Sequence, residues 1–504
     1  MTTAPARTPR LSAAAAPSSA LLHSRTLTAA DTGIVHLGLG NFHRAHQAVY
    51  TAAALAQEAG PWGIVGVAGR STGVADALRA QDLRYTVAEV SPDGLRCTVP
   101  AVHTGVLVAA REPEHVQQAL AAPGTRVISL TVTEHGYTFS PRTGGLDLDH
   151  PGVRADLSGN RTAPVTTLGR IVRALQERAA GHGAPVTVLS CDNLVGNGHH
   201  TRRLVEEFIA QLPAGEGEEV AAWLAAGNVT FPDTMVDRIV PATTDAERTA
   251  VAGALGLHDE VPVPAEPFSM WVLQDHFAAA RPAWEAGGAL FTDDVTPYEL
   301  LKVRLLNGTH SLIAYLGALD GRDTIPESSA QPFVTEAARA VLWDEYLPSL
   351  TVPDGVDLDA YVKQLFTRWA NSALGHRTRQ VGSDGSVKLR QRIPDPALLH
   401  LRSGRMPHHL ALTVAAYLCC LAPSAGFDPG EHAAAMVDPA RERLAALRAK
   451  TADGTSFATA VLDDGLLGDE LPQYPAFAAR VGEFVDLLQT RGPRAAAAEA
   501  AESA

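Results

Sequence analysis

One short segment of the chain, Thr296–His310, carries three polar side chains that could act together on a hydroxyl group: Lys302, Asn307 and His310. Thr296 suits the N-cap of a helix, and Glu299 completes a capping box with it. At about 100° per residue, His310 lies roughly 80° and Asn307 roughly 140° around the helix from Lys302. The sequence therefore predicts one helix with the three polar groups on one broad side.

A lysine in this position can serve as a general base. The positive end of a helix dipole and partial burial both lower the pKa of an ammonium group, and a general base needs a pKa near the working pH. The same residues also fit a structural interpretation, with a surface lysine, a hydrogen-bonded asparagine and an incidental histidine. Spacing alone leaves both interpretations open.

Size, charge and cysteine usage limit the class of protein. The chain has 504 residues, enough for two large domains or three smaller ones, and its formal charge of −14 argues against a nucleic-acid partner. No apolar run approaches the roughly 20 residues of a membrane span. The four cysteines lack C-x-x-C spacing and indicate reduced thiols of a cytoplasmic protein. Because no H-E-x-x-H motif occurs, we expect chemistry without a metal.

The N-terminal half predicts an α/β fold with a doubly wound, mostly parallel sheet. An apolar run at 33–38, a helical stretch at 44–59 and a second apolar run at 62–68 form the β-α-β pattern of that architecture. Strand and helix patterns keep alternating to about residue 190. Beyond Thr296 the long amphipathic stretches predict a mainly α-helical domain.

The turn after the first predicted strand could bind a dinucleotide. Its sequence reads Gly38, Leu39, Gly40, Asn41, Phe42. Backbone N–H groups between a strand and a helix can hold a pyrophosphate. The third glycine of the usual fingerprint is replaced by His43, so an ordinary tight turn is the alternative.

The end of the second predicted strand bears on the choice of cofactor. An acidic residue normally accepts the ribose hydroxyls of NAD there, but this chain has Arg70, Ser71 and Thr72. These residues could bind the 2′-phosphate of NADP, or they could form a solvated loop. The sequence leaves NAD and NADP open.

Three further segments are candidate walls of a site. Thr133 and Glu134 follow one predicted strand and Asn193 follows another. Ligands of open parallel sheets bind beyond the carboxyl ends of the strands. Asp237 and Arg238 could bind substrate or form a structural ion pair.

A polar, cationic loop interrupts the helical half of this acidic protein. Its candidate ligands are His376, Arg377, Gln380 and Lys388. A solvated charge run is the ordinary explanation of such a loop. The sharper explanation is a site for an anion or a polyhydroxyl compound.

Taken together, these segments resemble the mannitol dehydrogenase family of long-chain polyol-specific dehydrogenases and reductases. The matching runs keep their order along the chain: 36–38, 42–47, 129–134, 190–193, 235–241, 266–268 and 384–386. The resemblance implies a Rossmann-type dinucleotide-binding domain, a helical domain and a site in the cleft between them. We expect a flexible extension (1–30), the Rossmann-type domain (31–292), the helical domain (293–494) and a disordered tail (495–504).

The family's lysine, asparagine and histidine motif falls on Lys302, Asn307 and His310. The resemblance implies that Lys302 is the base in alcohol oxidation and the acid in ketone reduction. It implies that Asn307 and Asn193 polarise the developing oxyanion and that His310 orients substrate hydroxyls. Hydride would pass directly to or from C4 of the nicotinamide of NAD or NADP.

The cationic loop bears on the substrate. Its run from His376 to Thr378, with Gln380 and Lys388, looks more like the fructuronate reductase branch; mannitol dehydrogenases have an arginine where Gln380 stands. Cations in this loop could pair with a sugar-acid carboxylate. We expect D-mannonate and D-fructuronate as the substrate pair, followed by D-mannitol and D-fructose or a pentitol. Arg379 departs from the branch, which usually has an aromatic residue there.

A non-catalytic dinucleotide- or sugar-sensing protein on the same fold is the alternative from another functional class. A sensor has no need of the complete set of Lys302, Asn307, His310 and Asn193, so the set favours an enzyme. The expected partner is a small sugar acid or polyol, with neither nucleic acid nor membrane, and the expected assembly is a monomer or small homo-oligomer.

Overall fold

The computed structural model describes residues 8–140, 142–159 and 162–503. The chain forms two compact units, Met1–Thr296 and Pro297–Ala504. The sequence placed this boundary between residues 292 and 293, close to the position in the structure. Each unit is described separately below.

The first unit alternates strands and helices. Its strands are β1 (Thr32–Leu37), β2 (Gly63–Ala68), β3 (Val87–Ser91), β4 (Gly94–Thr98), β5 (His103–Val108), β6 (Val127–Leu130), β7 (Phe139–Ser140), β8 (Gly145–Leu146), β9 (Val186–Ser190), β10 (Val229–Thr230), β11 (Thr234–Asp237), β12 (Val263–Ala265), β13 (Met270–Gln274) and β14 (Leu290–Thr292). Its helices are α1 (Asn41–Ala45), α2 (Gln47–Gln57), α3 (Gly73–Ala80), α4 (Pro113–Ala121), α5 (Thr133–Gly136), α6 (Pro151–Leu157), α7 (Thr167–Ala180), α8 (Asn197–Ala210), α9 (Glu218–Trp223) and α10 (Asp245–Leu255).

The main sheet has six strands in the order β5-β2-β1-β6-β9-β10, and every neighbouring pair is parallel. Numbered by position along the chain, this order is 3-2-1-4-5-6, which is that of a doubly wound dinucleotide-binding sheet. The chain reverses its direction of strand addition between β1 and β6. The predicted fold class is confirmed, and the carboxyl ends of β1 and β6 form the topological switch point.

Apolar residues on both sides of the sheet explain why the strands read as continuous hydrophobic runs. Ile34 and Ile64 belong to the core on one side, while Val35, Leu37 and Val67 belong to the core on the other. Successive side chains of a strand point to opposite faces, and helices cover both faces of a parallel sheet. The sheet is therefore rigid at the edge where the loops emerge.

Residues 8–30 differ from the expected flexible extension. Leu11 is fully buried, and its N–H donates to the carbonyl of His258 at 2.9 Å. Leu21 forms a bridge with Val99, and Ala20 is buried beside it. These apolar side chains attach a polar, proline-containing segment to the folded unit. The overall composition of the segment did not predict this attachment.

The second unit is helical, as predicted. Its helices are α11 (Thr296–Leu301), α12 (Thr309–Leu319), α13 (Ile325–Ser329), α14 (Pro332–Ala340), α15 (Leu358–Trp369), α16 (Thr378–Gly382), α17 (Gly385–Arg392), α18 (Pro394–Arg402), α19 (His408–Leu421), α20 (Glu431–Ala434), α21 (Arg441–Arg448), α22 (Gly454–Asp463) and α23 (Pro475–Ser503). Two π-helical segments, Lys302–Gly308 and Val341–Tyr346, extend α11 and α14. Helix α19 is buried from His409 to Leu421 and packs against α23.

The expected disordered tail is wrong for residues 495–503, which form the last turns of α23 after a break at Gly492. Ala496, Ala497 and Ala500 are buried, and Arg480 donates to Glu499 at 3.2 Å. Residues 495–503 are mostly alanine and glutamate, and alanine has the highest intrinsic helix propensity. A segment of this composition therefore continues the helix where its alanines can pack. Among the described residues, no helix is both long and apolar enough to cross a membrane.

Candidate active site

The glycine turn after β1 lies at the topological switch point. Gly38 has φ +113°, and a Cβ atom there would lie 2.0 Å from the carbonyl oxygen of Thr131, the residue that follows β6. The N–H groups of Gly38 and Leu39 donate to the carbonyl of Val67. Only glycine fits this conformation and this close approach, so the first glycine fixes the turn between the two strands.

Gly40 has a different environment from Gly38. Its φ is −94°, and a Cβ atom there would have only the Gly38 carbonyl oxygen in reach, at 3.9 Å. The protein therefore leaves open space beside the Gly40 backbone at the start of α1. A glycine without packing or conformational need is expected where a ligand approaches the backbone, so the turn fits a dinucleotide pyrophosphate.

The next two predicted cofactor residues also have roles within the fold. Asn41 donates from Nδ2 to the carbonyl of Pro241 at 3.1 Å and accepts from Arg44 at 2.6 Å. The ring of Phe42 stacks on His46 with centroids 4.8 Å apart. The side chain of Asn41 thus secures the turn, and its backbone is the part left to serve a cofactor.

A matched pair of substitutions separates the two glycines. Gly38→Ala is expected to lower the free energy of unfolding by about 3 kcal/mol or more, because the Cβ atom collides with backbone at a positive φ. Gly40→Ala is expected to unfold like the wild type and to bind nicotinamide dinucleotide at least about tenfold more weakly. Urea unfolding and fluorescence titration with NADH measure both effects. Equal effects of the two variants on stability would contradict this assignment.

His43, which stands at the third glycine position, belongs to a buried chain of imidazoles. Its ring stacks on His36 at 3.5 Å, and its Nε2 lies 3.2 Å from Nε2 of His103. Gln47 and Ser129 connect the other ring nitrogens of His43 and His36. Burial lowers the pKa of His36 and of His103 to about 3. Neutral stacked rings therefore make the close helix–strand contact that a glycine usually provides.

This imidazole chain predicts acid sensitivity. The folded-state pKa of these histidines is about 3 and the ordinary pKa of histidine is 6.5, so the unfolded chain binds more protons than the folded chain between these values. Stability is therefore expected to fall as the pH falls below 6.5, by about 2 kcal/mol per histidine at pH 5. Urea unfolding at pH 7 and pH 5 measures the loss. His103→Phe should reduce it and the exposed control His115→Gln should not; an unchanged loss in His103→Phe would contradict the prediction.

The loops after β6 and β9 are held together by Asp192. Its carboxylate accepts from the N–H groups of Val132 and Thr133, both at 3.0 Å, and from the Tyr137 hydroxyl at 2.8 Å. Thr133 has φ +61°, a strained conformation for a β-branched residue. Such strain is found at ligand sites and costs about 1–3 kcal/mol, so this loop has the character of a binding site.

The remaining predicted residues of this unit lie in three different settings. Asn193 directly follows Asp192 and is exposed, and Arg70 is exposed after β2. Asp237 is buried at the end of β11. The side chain of Glu134 lies outside the described part of the structure. Asn193 and Arg70 are thus accessible at the carboxyl ends of their strands.

Arg238 was predicted to bind substrate, but the structure places its side chain inside the first unit. Its side chain is 1% exposed and pairs with Glu89 at 2.7 Å. The same guanidinium donates to the carbonyls of Ala45 and Glu266. With its donors engaged inside the unit, Arg238 fixes the segment after β11 and does not offer a face to substrate. The ion pair that anchors this guanidinium is with Glu89, on β3.

In the second unit, Lys302 begins a π-helical segment that ends at Gly308. Backbone hydrogen bonds of a π-helix run between residues five apart, so Lys302 and Asn307 lie nearly one above the other. The α-helical expectation of about 140° between them is therefore wrong. Lys302 is 8% exposed, and Glu299, one turn earlier, is 5% exposed. The π-helical turn therefore brings the buried lysine and the amide closer to one side of the helix than an α-helix would.

His310 is the second residue of α12, two residues beyond the end of the π-helical segment. It is 8% exposed, and its Nε2 has no hydrogen-bond partner among the described residues. Its ring meets that of His376 edge-on, with centroids 5.0 Å apart. Burial, followed by His376 and the nearby cations Arg392, Arg368 and Lys388, holds the pKa of His310 well below its usual range. The imidazole is therefore neutral and can make a hydrogen bond to a hydroxyl group.

The cationic loop divides into an inner and an outer part. His376 lies beside His310, and burial with Lys388 and Arg368 lowers the pKa of His376 to about 4. Lys388 donates to the carbonyl of Ser383 at 2.6 Å. Arg377 pairs with Asp323, and Gln380 is exposed on α16. The structure thus brings His376 and Lys388 to His310, while Arg377 is engaged elsewhere.

Two arginines near His310 were missed by sequence reasoning. Arg368, in α15, is 6% exposed, and Arg392 ends α17. The sequences of these two helices contain no recognisable motif. The proximity of the two arginines to His310 therefore becomes apparent only in the folded structure. Among the described residues, no group of three or more His, Cys, Asp or Glu side chains could hold a metal ion.

The fold and the site define a class of protein. A 3-2-1-4-5-6 parallel sheet with an open glycine turn at its switch point is a Rossmann-type dinucleotide-binding domain. The helical unit adds a buried lysine, an amide and a neutral histidine on one side of a helix. This combination fits a dinucleotide-binding oxidoreductase that acts on CH–OH groups.

The chain belongs to the mannitol dehydrogenase family. The family's Rossmann domain matches residues 32–286, and its C-terminal domain matches residues 294–489. Named members are oxidoreductases acting on CH–OH groups, and this chain is such an enzyme.

Three relatives show the extent of the similarity. The D-mannonate oxidoreductase of Escherichia coli (strain K12) is 40% identical over 481 residues, covering 94% of this chain and 95% of the relative. The mannitol 2-dehydrogenase of Cereibacter sphaeroides is 39% identical over 383 residues, covering 75% and 79%. The mannitol 2-dehydrogenase of Pseudomonas fluorescens, solved as a ternary complex with NAD and D-mannitol, is 33% identical with a TM-score of 0.83, covering 98% and 100%.

Proposed function

We propose that this enzyme interconverts D-mannonate and D-fructuronate with NAD or NADP, without a metal ion. The nicotinamide ring, when bound, accepts or supplies the hydride. Lys302 takes the proton of the reacting hydroxyl in oxidation and returns it in reduction. The amides of Asn307 and Asn193 donate hydrogen bonds to the oxygen as negative charge develops on it.

The other proposed site residues bind substrate and cofactor. His310 orients a second substrate hydroxyl through Nε2, and Asp237 accepts from a further hydroxyl. The turn at Gly38–Phe42, with Thr133 and Glu134, holds the dinucleotide, and Arg70 contacts its ribose. His376 and Lys388 bind the carboxylate of the sugar acid.

The positive potential around His310 and His376 is the observation that supports a sugar acid as the substrate. Lys388 and Arg368 both lower the pKa of each of these histidines. The same potential stabilises a carboxylate and gives no such advantage to an uncharged hexitol. A sugar acid is therefore favoured over mannitol.

Initial rates with D-mannonate, D-mannitol and D-arabinitol, each with NAD and with NADP, test the proposal. We expect the highest kcat/KM with D-mannonate. The similarity to mannitol 2-dehydrogenases supports D-mannitol as the second candidate, and a higher kcat/KM with D-mannitol would establish it instead. Dinucleotide binding without turnover of any of the three would favour a sensor.

Lys388→Met is expected to lower kcat/KM for D-mannonate by about 10- to 100-fold more than for D-mannitol, because a charge-assisted hydrogen bond contributes about 1.5–3 kcal/mol. The exposed Arg390, in the same helix, gives the matched control Arg390→Met, which should leave the ratio unchanged. Equal losses for the two substrates in Lys388→Met would show that Lys388 does not bind the carboxylate.

A further inference from the structure

The carbonyl of Asn307 accepts hydrogen bonds from two side chains, those of Arg392 and Ser311. Nη1 of Arg392 donates to it at 2.9 Å and to the Ser311 hydroxyl at 2.7 Å. The Ser311 hydroxyl itself donates to the same carbonyl at 3.2 Å. The carbonyl lies at the end of the π-helical segment, where the pattern of backbone bonding changes to that of α12. Arg392 and Ser311 together therefore bind the backbone carbonyl of Asn307, the residue whose amide is proposed above to donate to the reacting oxygen.

Stability alone does not account for this arginine. Among the described residues, Arg392 forms no ion pair with a carboxylate, and its hydrogen bonds go to a carbonyl and a hydroxyl. Burial lowers the pKa of Arg392, and arginine stays charged in proteins. An enclosed charge without a counter-ion is costly to the fold, which points to a role in the site.

An aromatic ring makes a second contact with the π-helical segment, at Gly308. A Cβ atom at residue 308 would lie 2.4 Å from Cζ of Tyr346. Gly308 therefore allows the ring to pack directly on the backbone next to Asn307. The segment is thus contacted at two adjacent residues, at Asn307 by the guanidinium of Arg392 and at Gly308 by the ring of Tyr346.

We propose that Arg392 is a positioning residue for the amide of Asn307. Its guanidinium holds the carbonyl of Asn307 so that the π-helical register, which aligns Asn307 with Lys302, is kept. This inference rests on the proposed function, since it assumes that the amide of Asn307 acts on the reacting oxygen. It adds a residue on α17 that neither touches the substrate nor belongs to the lysine, asparagine and histidine motif.

A double-mutant cycle on the full-length enzyme tests this role. Arg392→Met is expected to lower kcat about 10- to 100-fold, while KM and the Kd of NADH stay close to the wild-type values. The primary deuterium isotope effect on kcat should rise, because hydride transfer becomes slower relative to the other steps. In an Asn307→Ala background the same substitution should change kcat little, since the group it positions is gone.

Conservative and control variants keep the test decisive if Arg392→Met does not fold. Arg392→Lys retains one donor and should recover part of kcat. Ser311→Ala removes the second donor to the carbonyl and should lower kcat by about two- to tenfold. Arg390→Met, on the same helix, should behave like the wild type.

Several results would overturn the proposal. They are an unchanged kcat in Arg392→Met or Arg392→Lys, an equal loss with and without Asn307, or a loss of NADH affinity that matches the loss of kcat. A wild-type enzyme that prefers D-mannitol would refute the proposed substrate, and the cycle would then be measured with D-mannitol. The two proposals therefore fail separately.

Discussion

Replacing Lys302 with alanine is expected to lower kcat for oxidation by about 10²- to 10⁴-fold, the usual contribution of a positioned general base. The Kd of the dinucleotide should stay nearly unchanged, because Lys302 belongs to the helical unit and the glycine turn to the other. Stopped-flow rates and fluorescence titration measure the two quantities. The rise of the oxidation rate with pH, which reports the ionisation of the base, should be lost in the variant.

Lys363 provides the matched control, since it is an exposed lysine of the same unit. Lys363→Ala should retain the wild-type kcat and its pH dependence. If Lys302→Ala weakened dinucleotide binding as much as turnover, Lys302 would be a structural lysine, the interpretation that its spacing alone also allowed.

Asn307→Ala is expected to lower kcat by about 10²- to 10³-fold with little change in KM, because an oxyanion donor acts mainly in the transition state. The π-helical segment aligns this residue with Lys302, so both should act on one oxygen atom. Steady-state rates with D-mannonate measure the effect.

Asn307→Asp is the informative second variant at this position. It keeps the size of the side chain and removes the amide donors, so its kcat should fall about as far as that of the alanine variant. A kcat close to the wild-type value in Asn307→Asp would show that the amide only fills space. Thermal unfolding of both variants should remain near the wild-type midpoint, since Asn307 is only partly buried.

Local pattern was sufficient for the framework of the fold. The apolar runs at 33–38 and 62–68 became β1 and β2, and the helical stretch at 44–59 became α2 with the end of α1. These elements are set by hydrophobic periodicity and caps, which a sequence displays directly. By contrast, β3 pairs with β4 and β12 in a separate small sheet, outside the main parallel sheet. Strand pairing depends on distant residues, so its pattern cannot be read locally.

The π-helical segment shows what the sequence could not reveal in the site. Nothing in the residues from Lys302 to Gly308 distinguishes i→i+5 from i→i+4 bonding. The difference arises from Tyr346 and Arg392, which reach this segment from elsewhere in the chain. The sequence identified the chemistry of Lys302, Asn307 and His310, and tertiary contacts set their alignment.

Arginine roles were the least predictable feature. Arg238 follows the end of a strand, as many ligand-binding residues do, yet it is fully engaged with Glu89 and two backbone carbonyls. Arg377 lies in the cationic loop, yet it pairs with Asp323. Charge at a given position in the sequence does not specify its partner, because the partner is often tens of residues away.

Deuterium transfer tests the central claim most directly. D-Fructuronate would be reduced with NADH carrying two deuterium atoms at C4 of the nicotinamide, so that either face delivers the label, and the product would be analysed by NMR and mass spectrometry. Direct hydride transfer to a ketone predicts D-mannonate with one deuterium on the newly formed carbinol carbon and none exchanged with water. A product without deuterium on that carbon, or no reduction of D-fructuronate, D-fructose or a pentulose with either cofactor, would contradict the account.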